Sequence, residues 1–142
     1  MARTRRESPS VDQAQQLANF RVALREFLWR TEAIASESGL TDTQYVLLLL
    51  VKGAPDGSER CRLVDISRRL KLSPNSVTGL VRRAERANLV RREPSETDQR
   101  AINLRLTEEG ERRLALAVQA GDRDRRAFAG ALSALLSAYV GG

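Results

Sequence analysis

The sequence predicts a mainly α (α+β) fold: a winged helix-turn-helix lobe flanked by N- and C-terminal helices. Three observations predict it. A capped amphipathic helix starts at Ser73-Pro74, three residues after a shorter amphipathic segment ends; a strand, loop, strand signal follows over 89–106; and helical apolar spacing runs through both ends of the chain. The 142 residues, 42% of them hydrophobic, are enough for one domain with a core of its own.

Residues 1–10 are polar, basic and interrupted by Pro9, which reads as a mobile basic arm, and 11–142 read as a single domain. From 11 to 38, Leu17, Phe20, Leu24, Phe27 and Ile34 recur at helical intervals, with Leu28 and Trp29 widening the stripe. Ser38-Gly39 ends that helix. Thr41 opens the next, whose Tyr45–Val51 is apolar all round and therefore belongs in the middle of a core. Gly53 to Ser58 is a loop by composition, and Arg60-Cys61-Arg62 can form a very short strand. Leu63, Ile66 and Leu70 mark the buried stripe of a helix at 63–70, and Lys71-Leu72-Ser73 is the turn out of it.

The helix at 73–86 has a well-marked start. Ser73 can accept from the first free N–H groups, and Pro74 presets φ where no N–H is needed. At 100° per residue Val77, Leu80, Val81 and Ala84 share one face. Asn75, Gly79, Arg82 and Arg86 line the opposite one, flanked by Ser76, Thr78 and Arg83. Such a face, polar and basic without an acid, suits the DNA major groove. Beyond it, 89–93 and 101–106 read as strands around a loop at 94–100. In the second strand Ile102, Leu104 and Leu106 alternate with Asn103 and Arg105. Thr107 caps a further helix with Glu108 and Glu109 in its first turn. Apolar residues continue to Tyr139, so one or two helices fill 108–140, with a break near Gly121-Asp122.

Charge narrows the function. The formal net charge is +6, but residues 60–105 hold twelve Lys and Arg against five Asp and Glu, so the excess lies in the helix-turn-helix and hairpin. A segregated basic surface points to a polyanion. Histidine is absent and Cys61 is the one cysteine, which excludes a Ser–His–Asp triad, a Cys/His zinc site and an internal disulfide. No Gly-rich phosphate loop is present either, so we expect neither an enzyme nor a cofactor. The longest apolar run is too short to span a membrane, and Arg3, Arg5 and Arg6 precede no apolar signal core. A cytoplasmic location is expected.

Several strings, taken in order, resemble the MarR family of winged helix-turn-helix transcriptional regulators. They are Thr41-x-x-Gln44-Tyr45-x-x-Leu48, Ile66-x-x-x-Leu70-x-Leu72-Ser73-Pro74-x-Ser76-Val77-Thr78, Asn88-Leu89-Val90-x-Arg92, Asp98-x-Arg100-Ala101 and Leu104-x-Leu106-Thr107-x-x-Gly110. The resemblance spans roughly 15–140. It implies a homodimer whose helices at 11–38 and 108–140 associate and hold two lobes, each 41–106, over one near-palindromic double-stranded operator, most simply as a repressor. Apolar surface at both ends, including Leu17, Phe20, Leu24, Leu132, Leu135 and Tyr139, agrees with a partner surface.

By position, the resemblance gives Ser73, Asn75, Ser76, Thr78, Arg82 and Arg83 contacts to bases or phosphates. It places Arg100 in a minor groove and makes Asp98 the acid that holds the wing loop. Gly79 and Arg86 share the same helix face. Two positions depart from the family pattern: Gly79 stands where a polar base reader is common, and Arg82 where an acid is common. The family often couples DNA release to a small aromatic ligand or to cysteine oxidation. Trp29 and Tyr45 are candidates to line a ligand pocket. Cys61 could be an oxidation sensor if Arg60 and Arg62 favour its thiolate, or a packing residue if its strand turns it inward. A different class of function, a winged helix used as a protein-interaction module with its arginine face on an acidic partner, is the alternative reading.

Overall fold

A computed structural model describes residues 7–96 and 101–140. The elements follow in the order α1 (Val11–Glu37), α2 (Asp42–Lys52), β1 (Arg60–Arg62), α3 (Leu63–Leu70), α4 (Pro74–Arg86), β2 (Val90–Pro94), β3 (Ile102–Leu106), α5 (Glu108–Ala120) and α6 (Asp122–Val140). They fall into two compact units, one joining residues up to 31 with those from 121 onward, the other running from Glu32 to Ala120.

The second unit is the winged helix-turn-helix. Thr41 caps α2 through a reciprocal box, its hydroxyl accepting from the Gln44 N–H (3.1 Å) while the Gln44 side chain accepts from the Thr41 N–H (3.0 Å). Leu47, Leu48 and Val51 of α2 are buried, and Ile66, Val77, Leu80, Val81, Leu89 and Leu104 pack with them in one cluster. The all-apolar segment is therefore central, as expected, although Leu49 still reaches solvent at 39% exposure.

The antiparallel sheet has the order β1-β3-β2, with Cys61 opposite Leu104 and Arg92 opposite Leu104 on its other side. Leu104 and Leu106 are buried, but Ile102, expected on the same buried face, is 40% exposed where the hairpin runs out beyond the core. Pro94 belongs to β2 rather than to the loop. It sits on an edge strand, where a missing N–H removes no ladder bond.

The join between α4, β2 and α5 is made by backbone. After Arg86 the chain reverses through Asn88, which adopts a left-handed φ of 59° and lets the Leu89 N–H reach the Ala84 carbonyl (2.9 Å). Thr107 then grips this turn: its hydroxyl donates to the Asn88 carbonyl (2.5 Å) and its N–H to the Leu89 carbonyl (3.0 Å). The same hydroxyl oxygen accepts from the Gly110 N–H (3.0 Å), capping α5. Gly110 has to be glycine, because a Cβ there would stand 2.1 Å from the Leu89 carbonyl oxygen. At the other side of α5, Arg113 donates to the Gly39 carbonyl (2.8 Å). Glu109, ion-paired with Arg112 and Arg113, has its carboxyl pKa pulled down to about 2 by those hydrogen bonds.

Cys61 is 6% exposed and faces the core beside Leu104. Strand alternation puts Arg60 and Arg62 on the opposite face of the sheet. The thiol pKa is pushed up, first by burial and then by Asp65, with Arg69 opposing. The expectation that Arg60 and Arg62 favour the thiolate is therefore corrected, and the packing role is the one the fold supports.

In the first unit, Phe20 and Phe27 of α1 meet Phe128 of α6, with ring centroids 6.0 and 4.8 Å apart. Aromatic contacts of this kind hold the two helices along one side only, and no residue of α6 is buried.

Two outcomes follow from these contacts. Gly110→Ala should destabilise the fold by about 2 kcal/mol or more in urea titration, since the Leu89 carbonyl must shift. Gly130→Ala, with nothing within 4 Å of the added methyl, should be neutral or stabilising. Native Cys61 should resist iodoacetamide at pH 8 and become fully alkylated only in denaturant. Rapid labelling of folded protein would restore the sensor reading.

Candidate nucleic-acid interface

The outer face of α4 is set up from its first residue. Ser73 is extended (φ −64°, ψ 154°) and its Oγ accepts from the Ser76 N–H at 3.2 Å, with Pro74 in the first turn. The Ser73 hydroxyl also donates to Ser76 Oγ (3.0 Å), and the Thr78 hydroxyl donates back to the Pro74 carbonyl (2.9 Å). Three of the residues expected to touch DNA thus have hydroxyls engaged in the helix start. They can still accept or donate one further bond each, but their first role is to shape the N-terminus.

The turn before α4 is built the same way. Lys71 takes a left-handed φ of 54°, its N–H and that of Leu72 both point to the Ser67 carbonyl, and the Ser67 hydroxyl donates to the Leu72 carbonyl (2.7 Å). A lysine in that conformation is uncommon outside Gly and Asn, and the reciprocal bonds of Ser67 hold it there.

With Val77, Leu80, Val81 and Ala84 buried, Asn75, Arg82, Arg83 and Arg86 are exposed and Thr78 and Gly79 are half-buried. Among the described residues no ion pair engages Arg82, Arg83 or Arg86. The one acid of the helix, Glu85, is held by Arg92 of β2 at 2.9 Å. A cation from the neighbouring strand thereby removes the only negative charge that could oppose a phosphate at this helix. Gly79 meets no steric demand from within the chain, since an added Cβ would find only the Arg83 guanidinium, at 3.4 Å.

The sheet sorts the remaining arginines. Arg60, Arg105 and Arg91 stand directly opposite one another across three strands, an arrangement that is unfavourable without counter-charge. Glu93 supplies it, one carboxylate oxygen on Arg60 (3.3 Å) and the other on Arg91 (3.0 Å), while Glu96 lies 3.7 Å from Arg60. Arg68 is paired to Asp65 within α3. Arg60, Arg68, Arg91 and Arg92 are thus paired, whereas Arg82, Arg83 and Arg86 of α4, like Arg62, Arg69, Lys71 and Arg105 outside it, have no ion pair among the described residues. Sequence reasoning missed the Glu85–Arg92 and Glu93 links because cross-strand register and strand-to-helix distance are not written in local spacing.

Asp98 and Arg100 lie outside the described residues. Of the residues expected at an association surface, Phe20, Leu24, Leu132 and Leu135 are half-buried inside the first unit, while Leu17 and Tyr139 are exposed. Trp29 is 68% exposed and lines a shallow groove along α1, and Tyr45 packs against the winged-helix core. No helix among the described residues is long and apolar enough to cross a membrane.

The sequence and this geometry can be set beside known proteins. A sequence model described as the MarR family matches residues 38–101, from the turn before α2 to the residue before β3. HTH-type transcriptional regulator SarZ of Staphylococcus epidermidis is 29% identical over 91 residues, which is 64% of this chain and 59% of SarZ. The chain thus matches less than two thirds of that relative's length. The crystal structure of AbsC, a MarR family transcriptional regulator from Streptomyces coelicolor, shares the fold with a TM-score of 0.70 and 25% identity, covering 87% of this chain and 83% of AbsC. Sco3205, also a MarR family transcriptional regulator from Streptomyces coelicolor and solved in complex with DNA, has a TM-score of 0.68 at 19% identity, over 89% of this chain and 78% of Sco3205. The family's sequence pattern covers α2, the helix-turn-helix and the first part of the wing, and the fold is similar to that of solved MarR family proteins over most of the length, so this chain resembles that family.

Proposed function

We propose that the protein is a sequence-specific double-stranded DNA-binding transcriptional regulator that acts as a homodimer on a near-palindromic operator, as a repressor. The observation that carries the reading is the outer face of α4. It presents Asn75 and three arginines without an ion-pair partner among the described residues, on a helix whose one acid is turned away to Arg92. Arg is the side chain suited to bidentate contacts with guanine and phosphate. The DNA complex of the similar Sco3205 supports the same use of this fold. Two α4 helices about 34 Å apart would read successive major-groove turns on one side of the duplex.

Gly79 fits this reading in a way that packing does not supply. Glycine in a helix interior costs about 1 kcal/mol relative to Ala, and the space beside Gly79 would take a methyl. What remains is the space outside the chain, where a duplex backbone or base edge would approach.

The test is titration of the full chain with operator selected from random duplex DNA, over a range of salt. Binding should weaken with a slope of about −0.9 per neutralised phosphate, and Arg82→Ala should cost about 1–3 kcal/mol with relaxed preference at one base pair. Absence of DNA binding at low salt would leave the protein-interaction alternative. Gly79→Ala should raise thermal stability by up to about 1 kcal/mol while weakening DNA binding, and a variant that gains stability with unchanged binding would remove Gly79 from the interface.

A further inference from the structure

Arginine carries nearly all the positive charge of this chain, and only two of its 24 Lys and Arg are lysine, at positions 52 and 71. The two side-chain amines stand in opposite surroundings. Lys52, at the end of α2, is held between two carboxylates, Glu59 just before β1 and Glu111 of α5, with the Glu111 oxygen 2.9 Å from its Nζ. Hydrogen bonds to Glu59 and then to Glu111 raise its pKa, so the amine stays protonated and offers no lone pair. Burial does not protect it, since the side chain is 42% exposed; pairing does.

Lys71 lies in the turn between α3 and α4. It is exposed, as is every residue from 71 to 76, and among the described residues no hydrogen bond or ion pair engages its ammonium. Its backbone takes the left-handed φ of 54° at the position after α3 where glycine is the usual residue. A side chain kept against the preference of its own backbone points to a use for that side chain. The neighbours narrow the use. Lys71 follows Arg69 and leads into α4, whose three arginines are likewise unpaired, and such a run of cations draws anionic reagents. Acyl phosphates and coenzyme A thioesters, the carriers of activated acyl groups, are both anionic.

We propose that Lys71 is an acyl-acceptor site, modified by an activated acyl group delivered on an anionic carrier, and that the modification lowers DNA binding by α4. The Lys71 ammonium gives a proton to water, and the free amine attacks the acyl carbonyl carbon. A C–N amide bond forms as the C–O bond to phosphate, or the C–S bond to the thiol carrier, breaks. The leaving phosphate or thiol takes the bonding electron pair, and one further proton of the amine passes to it through water. The product is a neutral amide. The positive charge at the turn is gone, and with it a contact to the duplex phosphates that border the groove entered by the start of α4. This consequence rests on the DNA-binding reading of α4; the acceptor chemistry does not.

Labelling tests the site. The full chain is incubated at pH 8 with acetyl phosphate in one arm and acetyl-coenzyme A in the other, and acylation of each lysine is followed by mass spectrometry of its peptides. Lys71 should react about tenfold faster than Lys52, and the arm that labels it identifies the carrier. Equal rates at the two lysines, or no acylation in either arm, overturn the site. DNA titration tests the consequence. Chain acylated at Lys71 should bind the selected duplex with a salt slope smaller by about 0.9, Lys71→Gln should bind like it, and Lys71→Arg should bind like the wild type after the same treatment. Undiminished binding by the acylated chain overturns the control of DNA binding. If the unmodified wild-type chain fails to bind DNA at low salt, the DNA-binding reading fails, and the labelling result still decides the acceptor site.

Discussion

Two backbone carbonyls, those of Asn88 and Leu89, hold the winged-helix lobe together. They lie where α4 ends, where β2 begins and where Thr107 starts α5, and Thr107 binds both of them. Leu89 is fully buried, and a buried carbonyl that loses its donor costs about 1–3 kcal/mol, so this junction resists any rearrangement that would separate the three elements. The orientation of α4 relative to the hairpin is therefore set by main-chain bonds and by one threonine. Side chains on the outer face of α4 take no part in it. They are left to be chosen by what they contact outside the chain, which is how one scaffold can keep its shape while its reading surface changes.

Electrostatics follows the same division. Glu93 pairs with Arg60 and Arg91, two of the three arginines that the sheet register brings together, Asp65 holds Arg68, and Arg92 holds Glu85. These exposed or half-exposed pairs contribute little stability each. Their larger effect is on where uncompensated charge remains. On α4 the acid is occupied and the arginines are not, so this helix presents positive charge beside the hydroxyls and amide side chain that would do the reading.

The helices of the lobe were legible in the sequence because each carries a full amphipathic stripe and a recognisable stop or start. Ser73-Pro74, Thr41 with Gln44, and Thr107 mark starts by capping chemistry that acts over three residues. The strands were legible to within one residue, and the Gly121-Asp122 break falls where expected. What local pattern does not carry is partnership across the fold. Glycine at 110 is explained only by the Leu89 carbonyl above it, the turn at Lys71 only by Ser67, and the thiol of Cys61 only by the face its strand presents to the core.

Pro94 has a consequence for the behaviour of the protein in a crowded solution. It sits on β2, the outer strand of the sheet on the wing side, where an exposed edge would otherwise offer a row of free N–H and C=O groups to any passing strand. Pro94 has no N–H to offer a passing strand. The opposite edge, β1, is three residues long and carries Arg60 and Arg62. Both edges are therefore poor templates for an intermolecular sheet, which disfavours fibrous stacking of copies of this chain.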